Sequence, residues 1–153
     1  MKMRKMNTTK KMVESGALAI VRADVERACE IADGLIKGGV PVMEMSYTFN
    51  TAGDVIKALK EKYGEALTVG AAFIKAFPIS DFYGPKLVKV FKTPIPDMPI
   101  LASGGINLDN LSQWLENGVD VCGFGGLLTK GTSEEIAANA SKIHEIITNF
   151  RNK

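Results

Sequence analysis

The chain has 153 residues, 46% of them hydrophobic and 24% charged, with a formal net charge of +2. That is enough apolar material for one domain with its own core. The charge imbalance is too small to argue for a nucleic acid or a membrane surface as partner. No stretch approaches the ~20 consecutive apolar residues of a membrane span. Cys29 and Cys122 lie far apart and form neither a metal-ligand spacing nor a disulfide framework, so both read as packed thiols. The expectation is a soluble cytoplasmic protein.

Short apolar runs alternate with amphipathic stretches. Residues Met1 to Lys11 are basic and read as a solvated charge run. Ala17 to Arg22 reads as a strand. Asp24 then caps a helix that turns Val25, Ala28, Ala32, Leu35 and Ile36 to one side and stops at Gly38-Gly39. Pro41 to Tyr47 is a second strand, followed by a helix with Val55, Ile56 and Leu59 that ends at Gly64. Leu67 to Gly70 opens a third strand. A helix starting near Pro85 is expected to turn Leu87, Val88 and Phe91 inward. Ile100 to Ser103 is another strand, followed by a helix with Leu111, Trp114 and Leu115 that stops at Gly118. Val119 to Phe124 is the last strand. The final helix opens on a capping box, Thr132 with Glu135, and buries Ile136, Ala140, Ile143 and Ile147.

This alternation defines the class as α/β with a parallel sheet. A barrel and a doubly wound sheet both fit it. One segment breaks the pattern: Leu67 to Pro78 is a single apolar run in which two strand-like halves meet directly. Parallel neighbours need a crossover of at least ~10–12 residues. Leu67–Ala71 and Phe73–Pro78 therefore cannot be adjacent parallel strands.

Lys75 sits inside that run, within Ala71-Ala72-Phe73-Ile74-Lys75-Ala76-Phe77-Pro78. An ammonium in a buried strand is expensive. Lysine tolerates the site by losing its proton, and the neutral amine is a nucleophile. The alternative is an edge strand whose lysine reaches water along its own stem. Arg22, Glu44 and Lys75 all lie in or at the C-terminal ends of apolar strands, the rim where parallel barrels build their active sites. A carboxylate beside a desolvated lysine suits Schiff-base chemistry on a ketone. It also suits a buried ion pair without catalysis.

Two glycine clusters follow successive strands: Ser103-Gly104-Gly105-Ile106-Asn107 and Gly123-Phe124-Gly125-Gly126. Glycines let backbone N–H groups encircle an anion, and the loops after the last two strands of a barrel are a frequent phosphate site. Glycines at turns serve the same positions without any ligand. His144 reads as a surface or half-packed residue and Trp114 as core.

These residues together resemble the class I aldolases that cleave 2-keto-3-deoxy-6-phosphogluconate (KDPG) and 4-hydroxy-2-oxoglutarate (KHG). The resemblance rests on Ala19 to Ala23, Gly38 to Thr48, Ile74-Lys75-Ala76-Phe77-Pro78 and Gly84-Pro85-Lys86. It continues through Ser103-Gly104-Gly105-Ile106-Asn107-Leu108-Asp109-Asn110 and Gly123 to Gly126. It implies a (β/α)8 TIM barrel, commonly a homotrimer, that needs no metal and no organic cofactor. Position by position, Lys75 matches the Schiff-base lysine and Glu44 the proton-transfer carboxylate. Arg22 and Phe77 match substrate-binding residues. Gly104, Gly105, Gly125 and Gly126 match a phosphate cradle, with Ser103 where the family more often carries threonine. The implied reaction cleaves 2-dehydro-3-deoxy-6-phosphogluconate to pyruvate and glyceraldehyde 3-phosphate, with 4-hydroxy-2-oxoglutarate as a further substrate. A small 2-keto acid phosphate is then the partner, with no nucleic acid and no membrane.

The chain departs from the family where Gly70-Ala71-Ala72-Phe73 joins the third strand straight to the lysine strand. About two strand–helix units are missing there, and the length falls short of the ~200 residues at which such barrels begin. Residues 1–153 are expected to form a single, incomplete barrel domain. A break in the backbone between Gly70 and Phe73, a shortened gene and a fragment all remain open as reasons. A non-catalytic phosphate-binding or assembly protein on the same scaffold is the alternative function.

Overall fold

The computed structural model describes residues 2–46, 51–69, 74–76 and 83–153, with side chains at residues 8–46, 51–69 and 83–153. The expected break between Gly70 and Phe73 lies outside the described residues.

Six parallel strands form one sheet in the order β3-β2-β1-β6-β5-β4: β1 (Ala17–Val21), β2 (Val42–Met45), β3 (Thr68–Val69), β4 (Ile74–Ala76), β5 (Ile100–Ser103) and β6 (Val121–Phe124). The two halves of the run from Leu67 to Pro78 are β3 and β4. They lie at opposite ends of the strand order, as their missing crossover requires.

Both faces of the sheet are covered. Ala17, Ala19 and Val21 face outward against helices, while Leu18 joins Val42, Leu101 and Val121 in a separate inner cluster with Ile20 at its margin. That two-sided burial is why the strands read as continuous apolar runs rather than alternating ones. The fold is the TIM-barrel type of α/β architecture, short of about two strand–helix units.

The basic N-terminus forms a helix, α1 (Lys2–Ser15), on which Lys10 is exposed. Its anchor is Met12, fully buried in the inner cluster. Lys11 pairs with Glu65 at 2.6 Å. The Arg151 guanidinium donates to the carbonyls of Val13 and Glu14, tying the far end of the chain to this helix.

The outer layer follows the expected helices. α2 (Val25–Lys37) starts where the Asp24 carboxylate accepts from the Arg27 N–H at 2.9 Å. α7 (Ser133–Arg151) starts at the Thr132–Glu135 capping box. The two helices meet at Gly34, where a Cβ would lie 2.6 Å from the Ser133 carbonyl oxygen. Between them in chain order come α3 (Ala52–Tyr63), α4 (Lys86–Lys92), α5 (Leu111–Glu116) and the single-turn α6 (Gly126–Thr129). Two expected inward residues are exposed instead. Val25 is the first residue of α2, outside the buried stripe that begins at Ala28, and Phe91 lies on α4, of which only Val88 is fully buried.

Candidate functional site

A cavity of about 450 Å³ opens at the C-terminal ends of β1, β5 and β6. It is walled by Ile20 and Arg22 from β1 and its exit, Ser103 to Ile106 after β5, and Gly123 with Gly125 to Leu127 after β6. Arg22, Ser103, Gly104, Gly105, Gly125 and Gly126, read separately from the sequence, are thus brought to one place.

The local chemistry explains each wall. At Gly123 a Cβ would stand 3.0 Å from Ile20 Cδ1 and 3.1 Å from Ser103 Cβ, so a side chain there would push both neighbours back from the floor of the cavity. Gly104 and Gly105 have φ of 91° and 72°, the left-handed region in which side chains are strained. The loop beyond them is locked by asparagines. Asn107 Oδ1 accepts from the N–H groups of Asp109 and Asn110 at 2.9 and 3.1 Å, and Asn110 donates to the Gly105 carbonyl at 2.9 Å. The Asn-Leu-Asp-Asn stretch of the sequence is therefore a brace for the glycine turn.

Ser103 is fully buried, and its hydroxyl has no hydrogen-bond partner among the described residues. Leaving such a group unpaired costs about 1–3 kcal/mol. It borders the cavity, where a bound oxygen would satisfy it.

Glu44 and Lys75 are placed by the sheet register. Glu44 pairs with Ile20, a cavity residue, and Lys75 pairs with Leu101 of the inner cluster. Paired positions in a parallel ladder share a face, so positions 44 and 75 both belong to the inner one. Lys75 follows Leu101 to Val121, and the β6–β1 and β1–β2 registers carry that row on to positions 16 and then 40. Glu44 lies four residues above it (44 − 40), across the four steps from β4 to β2. A complete barrel of eight strands and shear 8 advances about one residue per strand, and in such a barrel this offset would set the two positions at one height. The cavity follows the same slope: Ser103 and Gly123 are in register with each other and with Leu18, while the β1 wall lies higher, at Ile20 and Arg22. Phe77 lies outside the described residues, as do Tyr47 and Thr48.

Two residues of this region escaped the sequence reading. Arg27, on α2, donates through Nη2 to the carbonyls of Thr129 and Gly131 at 2.8 and 2.7 Å, clamping the loop after β6. Nothing local to α2 signals a partner more than 100 positions away. Leu127 is the other; its carbonyl accepts from Asn139 at 3.1 Å, which pins α6 to α7. Of the cysteines, Cys122 is buried in β6, and burial pushes its thiol up to about 12. Among the described residues no group of three or more His, Cys, Asp and Glu side chains comes together, and no helix is long and apolar enough to cross a membrane.

A parallel α/β barrel with a glycine-walled cavity at its strand ends defines a broad class of enzymes. Residues 61–146 match the family model for KDPG and KHG aldolases, and the chain belongs to that family. It is 34% identical over 89 residues to the 2-dehydro-3-deoxy-6-phosphogalactonate aldolase of Escherichia coli K12. That alignment takes in 54% of this chain and 43% of the relative, so the chain spans under half of that protein's length. Among solved structures, one described as native KDPGal has a TM-score of 0.79 at 18% identity, covering 90% of this chain and 96% of that one. The KDPG aldolase of Zymomonas mobilis has a TM-score of 0.72 at 17% identity, covering 88% and 95%. Both structural likenesses concern the fold.

Proposed function

We propose that residues 1–153 act as one incomplete-barrel domain with Schiff-base aldolase chemistry on a phosphorylated 2-keto-3-deoxy sugar acid. What supports this reading is the register: positions 44 and 75 share the inner face of the sheet, which also carries a cavity walled by Arg22, Ser103 and the glycine turns.

In this reading the Lys75 amine attacks the C2 ketone and loses water to give an iminium, which draws electrons from the breaking C3–C4 bond. Glu44 takes the C4 hydroxyl proton as that bond opens. Glyceraldehyde 3-phosphate departs, the enamine is protonated at C3, and water returns pyruvate and the free amine. Arg22 and the Ser103 hydroxyl hold substrate oxygens, Phe77 packs beside the lysine, and Gly104, Gly105, Gly125 and Gly126 offer backbone N–H groups to the phosphate. No metal or organic cofactor enters these steps. The gluconate form is the proposed substrate; the names of the relatives include the galactonate form and 4-hydroxy-2-oxoglutarate. A homo-oligomer, a trimer by family resemblance, and a cytoplasmic location belong to the same proposal.

Pyruvate release from each of the three substrates, coupled to NADH oxidation by lactate dehydrogenase, tests it. Turnover is expected to be fastest with a phosphorylated acid; no pyruvate from any of them would contradict the proposal.

One observation favours a second reading, a phosphate-binding protein without turnover. The cavity walls come from β1, β5 and β6, whereas β3 and β4 end the sheet on the side of the missing units. That reading expects anion binding with no pyruvate formed.

A further inference from the structure

Beside the cavity lies a second chamber of about 390 Å³ that shares Ile20, Arg22, Gly125 and Gly126 with it. Its other polar walls are Arg27, Thr129 and Lys130, and no carboxylate among the described residues lines it. Arg27 is engaged: besides its two carbonyl contacts, Nη1 donates to Glu30 at 2.6 Å. Those carbonyls belong to Thr129 and Gly131, so the clamp fixes the backbone on both sides of Lys130.

The Lys130 side chain is exposed, and its ammonium makes no hydrogen bond or ion pair among the described residues. Its stem runs over Gly126, where a Cβ would lie 3.5 Å from Cδ and 3.6 Å from Cε. A cation is therefore held at the edge of that chamber, next to backbone that carries no side chain. Lysine serves phosphate recognition as a point charge, and charge-assisted contacts are the stronger hydrogen bonds.

We propose that Lys130 is a specificity-determining residue that selects ligands whose tail ends in a phosphate dianion, seated between Lys130, Arg22 and the Gly125–Gly126 backbone. This rests on the aldolase reading and deepens it: the glycine turns of the first cavity hold the phosphate from one side, and Lys130 meets it from the second chamber.

Glycerol 3-phosphate, titrated calorimetrically into the full chain at fixed ionic strength, tests the seat, with glycerol as the uncharged counterpart. The phosphate ester binds and glycerol does not. Lys130→Gln weakens binding by about tenfold, the effect of one charge-assisted contact. Lys130→Arg restores most of it, and Lys142→Gln, a loss of charge on exposed α7, leaves it unchanged. Absence of glycerol 3-phosphate binding to the wild-type chain overturns the inference, as does equal binding by the Lys130→Gln and Lys142→Gln variants.

Borohydride trapping of pyruvate at Lys75 involves no phosphate and separates the two readings. An adduct at Lys75 with unaltered binding by Lys130→Gln overturns this inference alone. No adduct, with tenfold weaker binding by the variant, overturns the aldolase chemistry and leaves the phosphate seat standing.

Discussion

The wall formed by β1, β6 and β5 differs sharply from the two ends of the sheet, β3 and β4. In the wall every strand has a neighbour on each side, and the glycine turns at its upper end surround the cavity. At the ends, the described strands have two and three residues, and Val90, Phe91 and Ile95 on and just after α4 are exposed. Anion binding needs only the wall. The proposed covalent step also needs position 75 on an end strand. In the proposed reading the phosphate seat belongs to the wall and the nucleophile to an end strand, so the two can be tested separately.

The largest effect tests the edge. Lys75→Met is expected to reduce pyruvate release to background while glycerol 3-phosphate binding persists; retained turnover would leave Lys75 an ion-pair partner only. Next comes the wall. Phe124→Ala empties a fully buried site in β6 and is expected to cost about 3–5 kcal/mol in urea unfolding. A third test follows the Cys122 thiol, which burial raises from 9.0 to about 12. Above pH 9 the unfolded thiol ionises and the folded one does not. The contribution is therefore complete below pH 9 and lost as pH rises toward 12, by up to about 1.4 kcal/mol per pH unit. Cys122→Ala should flatten that decline, and an unchanged slope would place its cause elsewhere. Smaller again, Thr132→Ala removes the α7 cap and is expected to lower stability by about 1 kcal/mol. Smallest is Val90→Ser on the exposed side of α4, expected within about 0.5 kcal/mol of wild type.

The strands and most helices were legible because buried parallel strands and one-sided helices write strong apolar patterns. The Thr132–Glu135 box and Asp24 mark their helices without help from packing. What escaped depends on distant partners. The helix α1 carries many lysines, and Met12, its buried anchor among the described side chains, acquires meaning only beneath Leu18, Val42, Leu101 and Val121. Phe91 has the spacing of an inward residue, yet α4 leaves it exposed. At the cavity, the glycine clusters and Ser103 could be read from the strand–turn pattern. That Gly123 forms the floor could not, since its neighbours Ile20 and Ser103 come from two other strands. The Arg27 clamp likewise joins residues from opposite ends of the chain.

The most direct measurement is borohydride reduction of the full chain in the presence of pyruvate, followed by peptide mass mapping. The expected result is one N-(1-carboxyethyl)lysine adduct, confined to the peptide containing Lys75 and absent from Lys75→Met. An adduct spread over surface lysines, or none at Lys75, would contradict a nucleophilic amine at that position.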